Sequence, residues 1–179
     1  MLFEQTDLAG LVLVLPERRE DARGYFARTF CTDEFATHGL ASSFPQSSLS
    51  FNEKAGTVRG MHYRLPPCAE TKLIRCARGA VLDIVVDLRP QAPSFRQWRA
   101  FELTAANGKA LYIPEGFAHG FQTVEDDTEV AYSITPAYTS GMDMGIRPND
   151  PALGICWPLP VSAISDKDLS WPLLELLQE

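Results

Sequence analysis

Histidine and cysteine are scarce in this chain, with three of one and four of the other among 179 residues. No two cysteines form a Cys-x-x-Cys pair, which removes the zinc-ribbon and dithiol redox patterns. Cys31, Cys68, Cys76 and Cys156 read as small core or surface residues, kept as thiols in a reducing compartment. Long hydrophobic runs are also missing, and none approaches the ~20 residues of a membrane helix. The opening MLFEQTDLAGLVLVLPERRE has no basic stretch ahead of its apolar run, so it does not read as a signal peptide. The expectation is a cytoplasmic protein. Positive charge is in deficit, with 16 Lys and Arg against 23 Asp and Glu, a formal net charge of -7. That balance argues against nucleic-acid or anionic-membrane partners. A local basic pocket for a phosphorylated small ligand remains open.

Helical periodicity is weak and peripheral. Thr32 could cap a short helix through His38, ended by Gly39, and Ser170 could cap a C-terminal helix from Trp171. Short β-runs broken by Gly and Pro dominate instead. They fall at Leu11 to Leu15, Tyr25 to Phe30, Ser47 to Phe51, Thr57 to Tyr63, Lys72 to Ala77 and Ala80 to Leu88. Arg99 to Leu103, Ala110 to Ile113, Gly120 to Val124 and Glu129 to Thr135 continue the series. Runs at this spacing imply a β-sandwich or barrel. No linker, repeat or low-complexity stretch interrupts them, so residues 1–179 read as one all-β domain with short peripheral helices.

A β-barrel with histidines raises the question of a metal. Such a site needs three or four converging ligands. The residue two after His62 is Arg64, so there is no His-x-His pair, and His119 is followed by Gly120 and Phe121. A cation beside Arg64 and Lys72 would be poorly placed. The expectation is no metal and no cofactor. His38 reads as a surface residue, whereas His62 in RGMHY and His119 in IPEGFAHGF stand in rigid, Gly-flanked contexts.

Several blocks stand in a telling order. They are DARGYF (21–26), RGMHY (59–63), TKLIRCARGAVLDIVVDLR (71–89), LYIPEGFAHGF (111–121), RPNDP (147–151) and SDKD (165–168). Together they resemble the dTDP-4-dehydrorhamnose 3,5-epimerase family from about residue 10 to residue 172. The resemblance implies a cupin double-stranded β-helix, or jelly roll, usually a homodimer whose N-terminal strands could be exchanged. It also implies a nucleotide-linked 4-keto-6-deoxy sugar as substrate. In such a sugar the C3 and C5 protons flank the ketone. Removing one makes an enolate, and reprotonation from the opposite face inverts the carbon. That chemistry requires a base, an acid on the other face and a donor near the oxygen.

By resemblance, His62 matches the base and Asp168 the carboxylate that orients it and stabilises the imidazolium. Tyr132 matches the opposite-face acid, because a phenol stays protonated at neutral pH. Lys72 matches the support for the developing oxyanion. Arg23, Arg59 and Lys167 match positions that hold the diphosphate or sugar, where a guanidinium can donate two parallel hydrogen bonds. Gln46 and His119 match pocket-lining positions, and Tyr138 matches a stacking aromatic. The chain departs from the family pattern in its expected ligand shell. Arg28 stands for Glu, Ser48 for Asn, Asp143 for Glu and Pro148 for Trp. These changes imply retained chemistry with an altered nucleotide or sugar preference. A 3,4-ketoisomerase and a catalytically silent sugar-nucleotide-binding cupin are the alternatives. A metal-dependent cupin oxygenase lacks ligands.

Overall fold

Alternation of apolar and polar residues buries one face of each run, and pairing the runs gives two antiparallel sheets. The computed structural model describes residues 1–177. In chain order the strands are β1 (Leu2–Gln5), β2 (Val12–Leu15), β3 (Arg19–Asp21), β4 (Gly24–Phe26), β5 (Gln46–Asn52), β6 (Val58–Tyr63) and β7 (Thr71–Arg78). They continue as β8 (Ala80–Asp87), β9 (Trp98–Thr104), β10 (Ala110–Ile113), β11 (Phe117–Thr123), β12 (Thr128–Thr135) and β13 (Met144–Gly145). One sheet has the order β1-β2-β10-β7-β12-β5 and the other β13-β6-β11-β8-β9. This is the cupin jelly roll expected from the sequence. A separate hairpin, β3 and β4, pairs only with itself.

Three apolar layers hold the sheets. Ile74, Cys76 and Val130 from the first sheet meet Val81, Val85, Leu103, Phe117 and Phe121 from the second. On the outer face of the first sheet, Phe35 of helix α1 (Thr32–Thr37) covers Val12, Leu73 and Tyr112. On the outer face of the second, Ile146, Leu153 and Leu174 cover Met61, Ile84 and Val86. Burying side chains of this size stabilises the fold by roughly 1.5–3 kcal/mol each.

The helices differ from expectation in detail. Thr32 is the first residue of α1 rather than its cap, and Cys31 in the cap position makes no side-chain cap bond. No helix starts at Trp171. The C-terminal helix α2 spans Asp166–Ser170 and is capped by Ser165, whose side chain accepts from the Asp168 amide at 3.0 Å. Pro172 disfavours helical backbone at the preceding Trp171, and only a single 3-10 turn, Leu174–Leu177, follows. The last two residues of the expected C-terminal helix and domain lie outside the described residues. The run Tyr25 to Phe30 is strand only to Phe26. Among the described residues, no helix is long and apolar enough to cross a membrane.

One close approach matters for everything near His62. Strands β6 and β11 pair with a register shift between His119 and Phe121, and Gly60 faces Gly120 there. A Cβ on Gly60, whose φ is +138°, would stand 2.5 Å from the Gly120 Cα. A Cβ on Gly120 would stand 2.7 Å from the Arg59 carbonyl oxygen and 2.8 Å from the Met61 sulfur. Gly120→Ala is therefore expected to cost about 1–3 kcal/mol by pushing β6 away. Urea unfolding should show a lowered midpoint, and full retention of stability would show that the strands can yield there.

Candidate active site

Both sheets turn polar side chains inwards at one end of the sandwich, around a cavity of about 240 Å³. His62 and His119 are directly opposed residues of β6 and β11 on the second sheet. Tyr132 and Lys72 come from β12 and β7 on the first sheet. Tyr132 pairs with Ile74 and Lys72 with Ile134, so the two are diagonal neighbours on one face. All four line the cavity, with Arg59, Tyr138, Asp143 and Lys167. His62 thus lines the cavity from the second sheet and Tyr132 from the first.

Behind His62 stands Asp168. Its Oδ1 is 2.6 Å from the His62 Nε2, and its Oδ2 accepts from the Gly60 amide at 3.3 Å. The Trp171 indole donates to Oδ1 at 3.3 Å. Burial pushes the Asp168 carboxyl upwards, but His62 and these donors outweigh it, and the carboxyl is held below its usual value. The Asp168 side chain is buried, while His62 is 39% exposed, so its ring edge remains accessible.

Charge around the cavity is paired. Lys72 Nζ lies 2.9 Å from Glu70 Oε1, and Glu70 Oε2 lies 3.6 Å from Arg64 Nε. Arg64 Nη2 donates to Asp143 Oδ1 at 3.0 Å, and Asp143 Oδ2 accepts from the Tyr138 hydroxyl at 3.0 Å and Lys167 at 3.2 Å. The Arg64 guanidinium also lies 4.7 Å from the Tyr138 ring centroid. Burial raises the Asp143 carboxyl, yet these three donors hold it below its ordinary value.

Other expected residues take different places. The Gln46 Oε1 accepts from the Tyr138 amide at 2.9 Å, so it anchors the loop that carries that ring. Ser48 stands opposite Tyr132 in the β5–β12 register. Arg59 donates to Asn52 Oδ1 at 2.7 Å. Arg23 and Arg28 are not brought to the cavity of their own chain. Arg23 pairs with Asp21 on the exposed β3–β4 hairpin, and Arg28 pairs with Glu34. Pro148 lies away from the cavity as well, and its carbonyl accepts from the Trp157 indole at 3.0 Å. Of the four departures, only Asp143 lines the cavity and Ser48 adjoins it.

The match to known proteins fits this geometry. The family model for dTDP-4-dehydrorhamnose 3,5-epimerase covers residues 5–175. The chain belongs to this family. A dTDP-4-dehydrorhamnose 3,5-epimerase of Sinorhizobium fredii is 39% identical over 175 residues, spanning 97% of this chain and 90% of the relative. The crystal structure of the Bacillus anthracis epimerase with TDP and PPi bound superposes with a TM-score of 0.93 at 39% identity, covering 97% of this chain and 99% of that one. The Legionella pneumophila epimerase in complex with dTDP-4-keto-L-rhamnose gives 0.91 at 33% identity, covering 98% and 94%.

Arg64, Glu70 and Asp83 were not singled out as site residues from the sequence. Parity could have found the first two, because Arg64 is two residues after His62 and Glu70 two before Lys72. Asp83 is an acid inside the apolar run AVLDIVVDL, which is itself a signal.

The depressed Asp168 carboxyl has a consequence for stability. A carboxylate whose folded pKa lies below its unfolded value of about 3.9 stabilises fully above that value. The contribution is lost as pH falls through the folded pKa. Asp168→Asn should therefore melt below the wild type at neutral pH, with the gap closing under acid conditions below about pH 4. Melting curves from pH 7 to 3 test this, and a gap independent of pH would contradict it.

Proposed function

We propose that the protein inverts C3, C5 or both in dTDP-4-dehydro-6-deoxyglucose or a close relative, within deoxysugar biosynthesis. The observation that carries this reading is the placement of His62, backed by Asp168, across the cavity from Tyr132. A 4-keto sugar bound between the sheets presents opposite ring faces to the two side chains. His62 takes a proton from the carbon beside the ketone, and Asp168 stabilises the imidazolium that forms. The Lys72 ammonium supports the enolate oxygen. Tyr132 delivers a proton to the other face; His62 then releases its proton to solvent and Tyr132 regains one, so the carbon is inverted with no net gain or loss of protons. The crystal structure of the Legionella pneumophila relative in complex with dTDP-4-keto-L-rhamnose supports the substrate class.

Deuterium uptake tests the assignment. In D₂O, dTDP-4-keto-6-deoxyglucose should gain label at each inverted carbon, read by NMR and mass spectrometry. His62→Ala should all but abolish exchange at every carbon, a loss of about 10²–10⁴-fold as for removal of a general base. Tyr132→Phe should depress inversion more than exchange, because His62 can still remove and return a proton on one face. Near-full exchange in His62→Ala would overturn the base assignment.

The reading includes a homodimer. Tyr25 and Phe26 are 53% and 70% exposed on a hairpin that pairs with no other strand of its chain. The same hairpin carries Arg23, far from its own cavity. A partner's cavity is the site that an exposed apolar hairpin with a guanidinium could complete. Mixing Arg23→Ala protomers with His62→Ala protomers, after dissociation and reassociation, should restore activity that neither variant has alone. Failure to complement would place Arg23 outside the partner's site. The four cysteines are unpaired, which suits the reducing cytoplasm.

A further inference from the structure

Asp83 is a carboxyl group that the mechanism above does not use, and its surroundings are unusual. It lies on β8 opposite Phe121 of β11, two residues from His119 on the same face. The side chain is wholly buried. It stands in the inner layer with Val81, Val85 and Phe121. Neither of its oxygens has a hydrogen-bond partner among the described residues, and the same holds for His119 Nδ1. These orphaned atoms face each other, with Asp83 Oδ2 3.4 Å from His119 Nδ1. Two buried polar groups that meet only each other can be satisfied by one shared proton.

We propose that Asp83 is a positioning residue: buried as a neutral carboxylic acid, it donates to Nδ1 of His119 and fixes the tautomer whose Nε2–H is a donor to an oxygen of the 4-keto sugar. The inference rests on the epimerase reading for the ligand, and on the Asp83–His119 geometry for the proton. An ionised Asp83 would be a fully buried anion with a single neutral donor and, among the described residues, no Lys or Arg within ion-pair distance, which is costly. Burial pushes its carboxyl well above the ordinary range, with Lys72 opposing. Burial, then the charges of Lys72 and His62, hold the His119 imidazole well below its ordinary value, with Glu70 opposing. Both directions favour the neutral pair. With Nδ1 occupied as an acceptor, Nε2 must carry the ring proton. His119 lines the cavity opposite His62, so a fixed donor there adds to Lys72 without adding another charge. A protonated carboxylic acid held in an apolar site is a known way to supply a hydrogen-bond donor at neutral pH.

The test begins without substrate. In ¹⁵N-histidine-labelled protein, with His119 assigned by its loss in His119→Gln, Nε2 should be protonated and Nδ1 bare from about pH 5 to 8. An Nδ1–H tautomer, or titration of His119 across that range, would overturn the proposal. In turnover, Asp83→Leu should lower kcat by about 10- to 100-fold with KM nearly unchanged. Asp83→Asn, whose amide N–H can still donate to Nδ1, should recover most of that loss. Wild-type kcat in a folded Asp83→Leu would also overturn it. If that variant fails to fold, the wild-type spectrum still decides. A wild type that exchanges no 4-keto sugar proton would sink the epimerase reading while leaving the tautomer measurement intact.

Discussion

The site depends on how closely β6 and β11 approach at Gly60 and Gly120. Only two residues without Cβ atoms allow the strands to meet as they do, and His62 and His119 stand directly opposed just beyond that contact. The same contact brings the Gly60 amide to Asp168. The imidazole is therefore located by backbone sterics on one side and by a buried carboxylate on the other. Neither constraint comes from the cavity itself. Orientation of this kind is fixed before a ligand arrives, and so does not have to be created at its expense.

The division of labour between the sheets follows from the alternation of strand side chains. Inward-facing positions of a sandwich normally pack as a continuous apolar layer. Here the layer is apolar where Ile74, Val81, Val85 and Val130 meet. It gives way to Lys72, His62 and His119 at one end without changing the strand period. His62 and His119 thus arrive from one wall, Lys72 and Tyr132 from the other. The charges in that end are compensated in a chain from Lys72 through Glu70 and Arg64 to Asp143 and Lys167. Paired charges tolerate low dielectric far better than isolated ones. A pocket built this way can hold a cation beside a forming oxyanion and still fold.

Much of this was legible in the sequence, for identifiable reasons. Runs punctuated by Gly and Pro placed β2 and β4 to β12 but not β1, β3 or β13, and the order of the motif blocks pointed, by resemblance, to His62, Lys72, Tyr132 and Asp168. What was not legible was relational. The C-terminal helix was read as starting at Trp171, yet the Ser165 cap starts it at Asp166 and Pro172 stops it before Trp171. Arg23 and Arg28 belong to ligand-binding blocks by resemblance, but pair with Asp21 and Glu34 on the outside of their own chain. Pairings with an acid two or six residues away leave no pattern in strand periodicity. Asp83 was hidden in the opposite way. It sits at an apolar position of a strand, and its role depends on a diagonal neighbour on a strand more than thirty residues away.

Specificity is where these strands of argument meet. The four positions that the resemblance marks as departures do not lie in one place. Pro148 supports Trp157 outside the cavity, and Arg28 lies with Glu34 on the outer surface. Asp143 is different, because one carboxylate holds Arg64, Tyr138 and Lys167 together at the cavity rim. Gln46 anchors the same loop through the Tyr138 amide. A rim held by three donors to a single carboxylate discriminates by geometry as well as by charge. The Asp143 cluster and the His62–Asp168 pair are thus held by separate sets of contacts on the same cavity.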